Sequence, residues 1–439
     1  MYRRSSSDDA GFTLVEVIVA MLVFAVVLTG FLYTVTASIV TTRDTRARVV
    51  AANLASEQID LARSKESVFD VVSDVDTVTL NGDTFRVEID TEWVTATGAT
   101  ASCDAGAASS AALAYKHVTV TVTWEGMRGA RPVVTDTALT PATKINDPSL
   151  GTVLVGVVDS AGEGVPGASV SLSPAGVPAV TTDADGCAYL LKVPLGTYTV
   201  SVSKSGYISD QQIVTPSAEI PVTAGGSSRV SFAYDVANTF TTTYAAGVPG
   251  TFRLPTNLTT TYISTYGNFQ TSASTNANPK SVQLYPYSSG YSVVAGAFAE
   301  TPGNPATSCL APDPGSWLDT PGLVGVRPAP AAGAPGAPVV ATAGMGAVAL
   351  SGISGGGNYL RAVYVGGGAG DPGCQAGMSY SFGNIIVGNA ASIALPYGTW
   401  QLYRGDATAQ NTLISGGITV LTPGLVSGAT VTLDPRVAG

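Results

Sequence analysis

This sequence offers almost no histidine for acid–base catalysis or for binding a metal. The 439 residues include one histidine, His117, which begins a segment with the alternating pattern of a strand. The chain contains no GxSxG, HExxH or P-loop pattern. We therefore predict no catalytic residue, no cofactor and no bound metal. A membrane-anchored enzyme such as a hydrolase, with His117 as its base, is the remaining catalytic alternative.

The cysteines point to structural bonds instead. An even number of cysteines without a CxxC pair permits two disulfides in an exported chain. Cys309 and Cys374 share the last region of the chain and are predicted to pair. Cys103 and Cys187 could bridge neighbouring domains or stay free.

Glu16 is unusual because its carboxylate lies inside a long apolar run. No charged residue occurs between Val17 and Thr42, and about 26 residues would form a helix of roughly 39 Å, which spans a bilayer. A charge inside the bilayer costs at least about 2.5–3.5 kcal/mol on insertion scales, so it needs a partner or a purpose. An uncleaved anchor would contain such a run, whereas the apolar core of a secretory signal peptide should be shorter and end in small residues. Neither alternative explains the carboxylate.

A polar leader at residues 1–11 ends at Gly11. The segment Gly11-Phe12-Thr13-Leu14-Val15-Glu16 resembles the prepilin processing motif of type IV pilins and secretion pseudopilins. The resemblance implies that a membrane peptidase cleaves between Gly11 and Phe12 and methylates the new terminus at Phe12. It also implies that Glu16 pairs with the N-terminal amine of a neighbouring subunit during filament assembly. Such a pairing would compensate the buried charge.

A long helix and a small sheet are predicted after the leader. Apolar residues continue at helical spacing, so we expect one helix from Phe12 to Arg63, roughly 75 Å long, with Gly30 as a weak point. Residues 75–95 and 115–138 have the pattern of strands, and the stretch between them reads as a loop. This α+β module over residues 12–140, with a long helix and a small antiparallel sheet, is also the layout of the pilin family.

Residues 150–235 show a second resemblance. The segments 151–159, 164–172, 182–186, 193–200 and 205–207 closely resemble the carboxypeptidase regulatory-like domain, in the correct order. The resemblance implies a seven-stranded, transthyretin-like β-sandwich that is a spacer or binding module without catalytic activity. Val170 and Leu172 alternate with serines, and Gly186 is predicted to serve a hairpin. Asp183 and Asp185 fall far short of the ligand set of an EF-hand, so calcium is not expected.

Residues 236–439 are predicted to form a β-rich region, which makes the chain all-β after its first module. Residues 328–338 are rich in proline, alanine and glycine and predict a flexible or extended connector, or a loop inside one domain if Cys309 and Cys374 are bonded. Arg404-Gly405-Asp406 spells an integrin-type tripeptide, a match that arises often by chance. Several tyrosines could stack on carbohydrate but are better explained by packing within sheets: Tyr262, Tyr266, Tyr285, Tyr287 and Tyr291.

Charge and size complete the functional prediction. The net charge is −10 and no long basic stretch occurs, so nucleic acid is not expected as a main partner. We expect a minor pilin or pseudopilin of a type IV pilus, competence or type II secretion-like filament, since more than 350 extracellular residues favour a sparse position. It would be a single-pass protein of the cytoplasmic membrane before assembly and would then lie at the cell surface. The alternative is a pilus-tip adhesin or carbohydrate-binding surface protein.

The predicted partners follow from this interpretation. They are other pilin subunits, a prepilin peptidase and the cytoplasmic membrane, since the resemblance implies processing, insertion and assembly. A surface glycan or host ligand would be added if the chain is an adhesin. The sequence does not identify which filament system is involved.

Overall fold

The structure, a computed structural model, describes residues 13–101, 103, 112–127, 131–141, 147–272, 275–301 and 307–438. Within these residues, one long helix is followed by strands and two short 3₁₀ turns. The leader, together with Gly11 and Phe12 at the expected processing point, lies outside the described residues. The described residues after the helix are all-β apart from these turns. Their strands form sheets that are mostly antiparallel.

The helix α1 comprises Leu14–Ser64 and is 51 residues long. Thr13 is its N-cap, so the helix begins two residues later than the predicted start at Phe12. It continues through Gly30 without a break, and the expected weak point there stays a prediction. A glycine costs only about 1 kcal/mol relative to alanine in a helix, which a 51-residue helix tolerates.

The second half of α1 packs against a five-stranded antiparallel head sheet. Its order is β1-β2-β4-β5, with β3 beside β2. The helix buries a stripe of small residues against it, including Ala47, Ala51 and Ala55, together with Ile59. The strands are β1 Asp74–Leu80, β2 Asp83–Thr95, β3 Thr100–Ala101, β4 Leu113–Trp124 and β5 Val133–Leu139.

The predicted strand run at 75–95 is a hairpin. β1 and β2 pair from Asp74 with Ile89 to Leu80 with Asp83. Asn81 and Gly82 form the two-residue turn, with φ values of 53° and 83°. Two positive φ values match the primed turns that suit the twist of paired strands, and Asn-Gly is their preferred sequence. The sequence interpretation missed this signal.

The sandwich consists of two four-stranded sheets, β12-β10-β7-β8 and β11-β13-β6-β9. It therefore has eight strands, one more than the implied seven, and the shortest is β8. The turn at Gly186 connects β8 to β9 in the opposite sheet, so it is not a hairpin as predicted. The strands are β6 Gly151–Val158, β7 Ser169–Ser173, β8 Val180–Thr181, β9 Cys187–Val193, β10 Gly196–Ser203, β11 Tyr207–Ser209, β12 Ser217–Val222 and β13 Ser227–Val236.

The C-terminal region contains the remaining strands. They surround a large hydrophobic core, which also includes Ile208 of the sandwich, and a small second cluster around Phe298. They are β14 Asn238–Tyr244, β15 Thr259–Ser264, β16 Gly267–Ser272, β17 Lys280–Leu284, β18 Ser292–Ala295, β19 Leu323–Val324, β20 Pro338–Ala343, β21 Gly346–Leu350, β22 Tyr359–Tyr364, β23 Ser379–Asn384, β24 Ala391–Leu395, β25 Gly398–Gly405, β26 Thr412–Leu413, β27 Ile418–Val420, β28 Gly424–Ser427, β29 Thr430–Leu433 and β30 Val437–Ala438. The largest sheet has the order β23-β22-β25-β29-β28, with β26 beside β25.

The segment 328–338 is a fixed part of this region. The Ala331 amide donates to the Tyr291 carbonyl at 2.9 Å, and the reverse bond is also 2.9 Å. Asn238 holds the same segment, since its amide donates to the Gly333 carbonyl and its oxygen accepts from the Ala337 amide. The run is therefore an extended loop within the region. β20, which follows it, pairs in parallel with β14.

Two disulfides occur among the described residues. Cys309 is bonded to Cys374 within the C-terminal region. Cys103 is bonded to Cys187, which joins the head to the sandwich and resolves the alternatives left open by the sequence. Beside this second bond, the Trp93 indole donates a hydrogen bond of 3.1 Å to the Tyr189 hydroxyl. Head and sandwich are thus connected covalently and through an aromatic cluster.

Candidate assembly surface on the N-terminal helix

The first half of α1 has no partner within the described chain. Every residue from Thr13 to Ile39 is exposed, and the first buried helix residue is Ala47. Large apolar side chains dominate this surface, among them Leu14, Met21, Phe24 and Phe31. The helix is long and apolar enough to cross a membrane. An apolar surface of this extent is stable only when lipid or other protein chains cover it.

Glu16 lies at the beginning of this surface. Its backbone amide donates to the Thr13 hydroxyl at 3.3 Å, and its carboxylate accepts from the Thr13 amide at 3.4 Å. This arrangement is a capping box, and it places a negative charge where the helix dipole favours one. Glu16 therefore has a local role that the sequence interpretation missed, although the Thr-x-x-Glu spacing indicates it. The side chain remains exposed and accessible to a second chain.

The helix is attached to the head where its apolar run ends. Arg43 forms an ion pair with Asp83, the residue after the β1–β2 turn. Farther along, Arg63 donates a hydrogen bond of 2.9 Å to the Thr137 hydroxyl on β5. These contacts, together with the buried alanine stripe, fix the direction in which the helix leaves the head.

The titratable residues considered from the sequence lie elsewhere. His117 is the fifth residue of β4, with its ring nitrogens 3.6 Å from the Glu92 carboxylate and 3.3 Å from the Asp136 carboxylate. It therefore lies within its strand and does not begin it. Burial raises the pKa of Asp183, and the neighbouring Asp185 adds to this effect. Across the described ranges, no group of three or more His, Cys, Asp or Glu side chains could hold a metal ion.

Lys116 is the most deeply buried lysine beside the junction of head and sandwich, with a relative exposure of 1%. Its ammonium group donates to the Val71 carbonyl and lies 5.8 Å from the centre of the Trp93 ring. Burial lowers its pKa, while the nearby carboxylates of Asp183 and Asp185 oppose that change. These contacts give Lys116 a structural role at the junction.

The candidate adhesive groups are mostly buried. Four of the five tyrosines belong to the C-terminal core, and only Tyr266 is exposed, stacked on Tyr287 at 4.4 Å between ring centres. Arg404 of the integrin-type tripeptide is 2% exposed, and its guanidinium donates to the carbonyls of Gly357 and Ile353. That arginine is therefore not available to a receptor in this fold.

Comparison with family models adds the decisive observation for the helix. Residues 6–32 match the model described as Prokaryotic N-terminal methylation motif. The chain has a type IV pilin signal. This methylation motif spans the expected processing point, Glu16 and the exposed apolar surface as far as Leu32. Residues 152–235 match the Carboxypeptidase regulatory-like domain, which coincides with the sandwich. Together, the motif and the apolar helix support a type IV pilin-like surface subunit that inserts in a membrane and assembles with other pilin subunits.

Solved structures provide two further comparisons. The Bacillus anthracis TIE protein is 13% identical over 88% of this chain and 76% of its own, with a TM-score of 0.20. A Streptococcal ancillary pilin is 12% identical over 43% of this chain and 68% of its own, with a TM-score of 0.19. These scores support no inference about fold or function. A search of curated proteins found no match.

Proposed function

We propose that the chain is a minor pilin or pseudopilin of a type IV pilus, or of a competence or type II secretion-like filament. The observation that supports this most is the uncovered apolar surface from Thr13 to Ile39, which overlaps the methylation motif over residues 13–32. A lipid bilayer and the apolar centre of a helical filament can both cover such a surface. The same helix can therefore anchor the subunit first and assemble it later.

Glu16 distinguishes an assembling helix from a simple anchor. In this proposal a prepilin peptidase cleaves between Gly11 and Phe12, and the amine of Phe12 is methylated. The Glu16 carboxylate of one subunit then pairs with the N-terminal amine of its neighbour. Within its own chain Glu16 contacts Thr13, and its exposed side chain leaves room for this second partner. The pairing removes the cost of an uncompensated charge in an apolar environment.

The β body supports a minor rather than a major subunit. It comprises the head, the sandwich and a C-terminal region, and all of it follows one helix of 51 residues. Subunits that pack helix against helix must fit their bodies around the filament, and a body of three successive modules limits how closely copies can stack. We propose a sparse or tip position and a role without catalysis.

Mass spectrometry of sheared filaments and of membranes tests the proposal. The processed chain should begin at a methylated Phe12, and the variant Glu16→Ala should be processed and retained in the membrane but absent from filaments. Glu57→Ala is the matched control, because Glu57 is an exposed acid on the same helix outside the apolar run. Filament preparations that contain only chains beginning at Met1 would contradict the proposal, as would normal incorporation of Glu16→Ala.

A further inference from the structure

A cleft of about 780 Å³ lies between α1 and the β1–β2 hairpin, where the helix leaves its apolar run. The helix contributes Ile39, Arg43 and Arg46 to its walls, and the hairpin contributes Leu80 and Asp83. Apolar and charged groups thus face the same space. The cleft begins where the helix surface assigned to assembly ends, with Ile39 common to both, and it is separate from the junction with the sandwich.

The position of the cleft along the helix indicates its depth relative to a bilayer. A hydrocarbon core of about 30 Å takes about 20 helical residues, which counted from Val17 ends near Thr36. The polar headgroup layer adds roughly 5–7 Å on each side, or about four more residues. This places Ile39 at the headgroup level and Arg43 just beyond it. The tip of the hairpin lies beside these residues and therefore reaches the same layer.

We infer that the hairpin tip rests in the headgroup layer of the membrane and that the cleft binds an anionic phospholipid. The inference depends on the membrane insertion supported above and not on assembly into a filament. It assigns the β1–β2 hairpin a role as a second membrane contact, in addition to the helix.

The charges in the cleft favour a phosphate-bearing ligand. Arg43 is already paired with Asp83. Arg46 also faces the cleft but forms no hydrogen bond or ion pair with any residue that the structure describes. An unpaired guanidinium at the surface of an anionic leaflet is attracted to lipid phosphate, and it can bind two phosphate oxygens at once.

The apolar walls favour a lipid over a free phosphate ion. Ile39 is 64% exposed and Leu80 is 39% exposed, and both line the same cleft as Arg46. The glycerol and first acyl carbons of a phospholipid would cover these side chains, whereas an inorganic ion would leave them in water. Arg46 begins about six residues, or roughly 9 Å, beyond the headgroup layer, but helical side chains tilt back towards the N-terminus. Its guanidinium is therefore directed towards a headgroup held beside Ile39 and Leu80 in the same cleft.

The full chain in nanodiscs allows a direct test of depth. An environment-sensitive fluorophore is attached at Thr79→Cys, an exposed strand position next to the hairpin tip, and in a second sample at Thr197→Cys, an exposed strand position on the sandwich. Lipids with a quencher near the headgroup should quench the probe at residue 79 and leave the probe at residue 197 unaffected. Equal, weak quenching at both positions in a correctly inserted protein would overturn the inference. Recovery of the chain in the discs reports insertion separately.

Lipid charge and two arginine variants test the site itself. The quencher is carried either by phosphatidylglycerol or, in a matched sample, by the same amount of phosphatidylcholine. Phosphatidylglycerol should be enriched beside the probe at residue 79 by up to about fivefold over phosphatidylcholine, since one basic residue near an anionic surface contributes about 1 kcal/mol. Arg46→Gln should abolish the preference. Arg48→Gln, an exposed arginine on the same helix that does not line the cleft, should preserve it.

Three results would overturn the proposed lipid site. If Arg46→Gln and Arg48→Gln lose the preference for phosphatidylglycerol equally, that preference comes from the overall charge of this part of the helix and not from the cleft. If the probe at residue 79 becomes less accessible to the quencher as the number of protein copies per disc rises, whatever the amount of quencher lipid, a second chain occupies the cleft. Inorganic phosphate at millimolar concentration should leave the lipid preference unchanged, and its displacement of the lipid would identify a simple anion site.

Discussion

The carboxylate of Asp185 in the sandwich accepts hydrogen bonds from the backbone amide of Ser73 in the head, at 3.0 and 3.1 Å. The two residues are 112 positions apart in the chain. The same carboxylate also accepts from the Thr91 hydroxyl at 3.3 Å. One side chain of the sandwich thus satisfies two donors on the head, within a junction that is also bonded through Cys103 and Cys187.

Asp185→Ala should weaken this junction. The Ser73 amide would lose its partner, and an unsatisfied, partly buried donor costs about 1–3 kcal/mol. Hydrogen exchange of the Ser73 amide should accelerate accordingly. Glu163→Ala is the control, because Glu163 borders the same cleft between head and sandwich and its side chain is exposed. Equal exchange rates in the two variants would show that Asp185 does not stabilise the junction.

The Cys103–Cys187 bond should reduce the contour length that the protein reaches when it is pulled from its two ends. It closes a segment of 84 residues, which would otherwise lengthen by roughly 300 Å when fully unfolded. Force applied between the helix and the C-terminal region should bypass β4 to β8, because these strands lie within the closed segment. In single-molecule pulling of the double variant Cys309→Ser/Cys374→Ser, reduction should add about 300 Å of contour length. An unchanged contour length would show that the Cys103–Cys187 bond does not carry the applied force.

The N-terminal part of the fold could be predicted because its signals are local. The apolar run, Glu16 and the spacing of the helix all lie within consecutive residues, and period and length are sufficient to recognise them. The Asp183–Gly186 segment was expected to serve a hairpin, whereas it is a turn that connects strands of the two sheets. Its function as a contact to Ser73 could not be predicted, since no local pattern indicates a partner more than a hundred residues away. The same holds for the bond between Cys103 and Cys187.

The C-terminal region was less predictable for a related reason. β14 pairs with β17 and, in parallel, with β20, so that Phe240 lies opposite both Val282 and Val339. Pairings over such distances depend on tertiary packing, which overrides local strand propensity. The burial of Arg404 illustrates the point, because its acceptors are carbonyls of a distant loop that the tripeptide sequence does not indicate.

Asp183→Asn should change how stability depends on pH. Burial raises the pKa of Asp183 above its ordinary value of 3.8, so the folded state holds the proton more tightly than the unfolded state. This contribution to stability is fully present below pH 3.8 and is lost as the pH rises through the folded pKa. The wild type should therefore lose stability relative to Asp183→Asn as the pH rises from 3 to 7.

Denaturant unfolding at several pH values measures this difference. The asparagine oxygen can still accept from the amides of Asp185 and Cys187, which contact one carboxylate oxygen at 3.1 and 2.8 Å. Asp159→Asn is the control, since Asp159 accepts two backbone amides in another turn of the sandwich. Parallel pH profiles for wild type and Asp183→Asn would contradict the expectation.

Gln212→Ala should loosen the junction between the sandwich and the C-terminal region. The Gln212 side-chain oxygen accepts from the Tyr285 amide at 2.8 Å, and its nitrogen donates to the Tyr291 hydroxyl at 3.0 Å. Truncation leaves the Tyr285 amide without this acceptor, at a cost of about 1–3 kcal/mol. Gln211→Ala removes an exposed neighbour of the same type and should change stability by less than about 0.5 kcal/mol.

Hydrogen exchange of the Tyr285 amide and thermal unfolding of the full chain in detergent distinguish the two glutamine variants. Gln212→Ala should accelerate exchange at Tyr285 and lower the unfolding temperature of the C-terminal region, because Ile208 and the tyrosines around Gln212 share its core. The Tyr287 hydroxyl, which donates to the Asp210 carbonyl at 2.8 Å, should preserve part of the junction. If the exchange rate at Tyr285 is the same in both variants, Gln212 does not hold the two modules together, and the shared core and the bond from Tyr287 to Asp210 must do so.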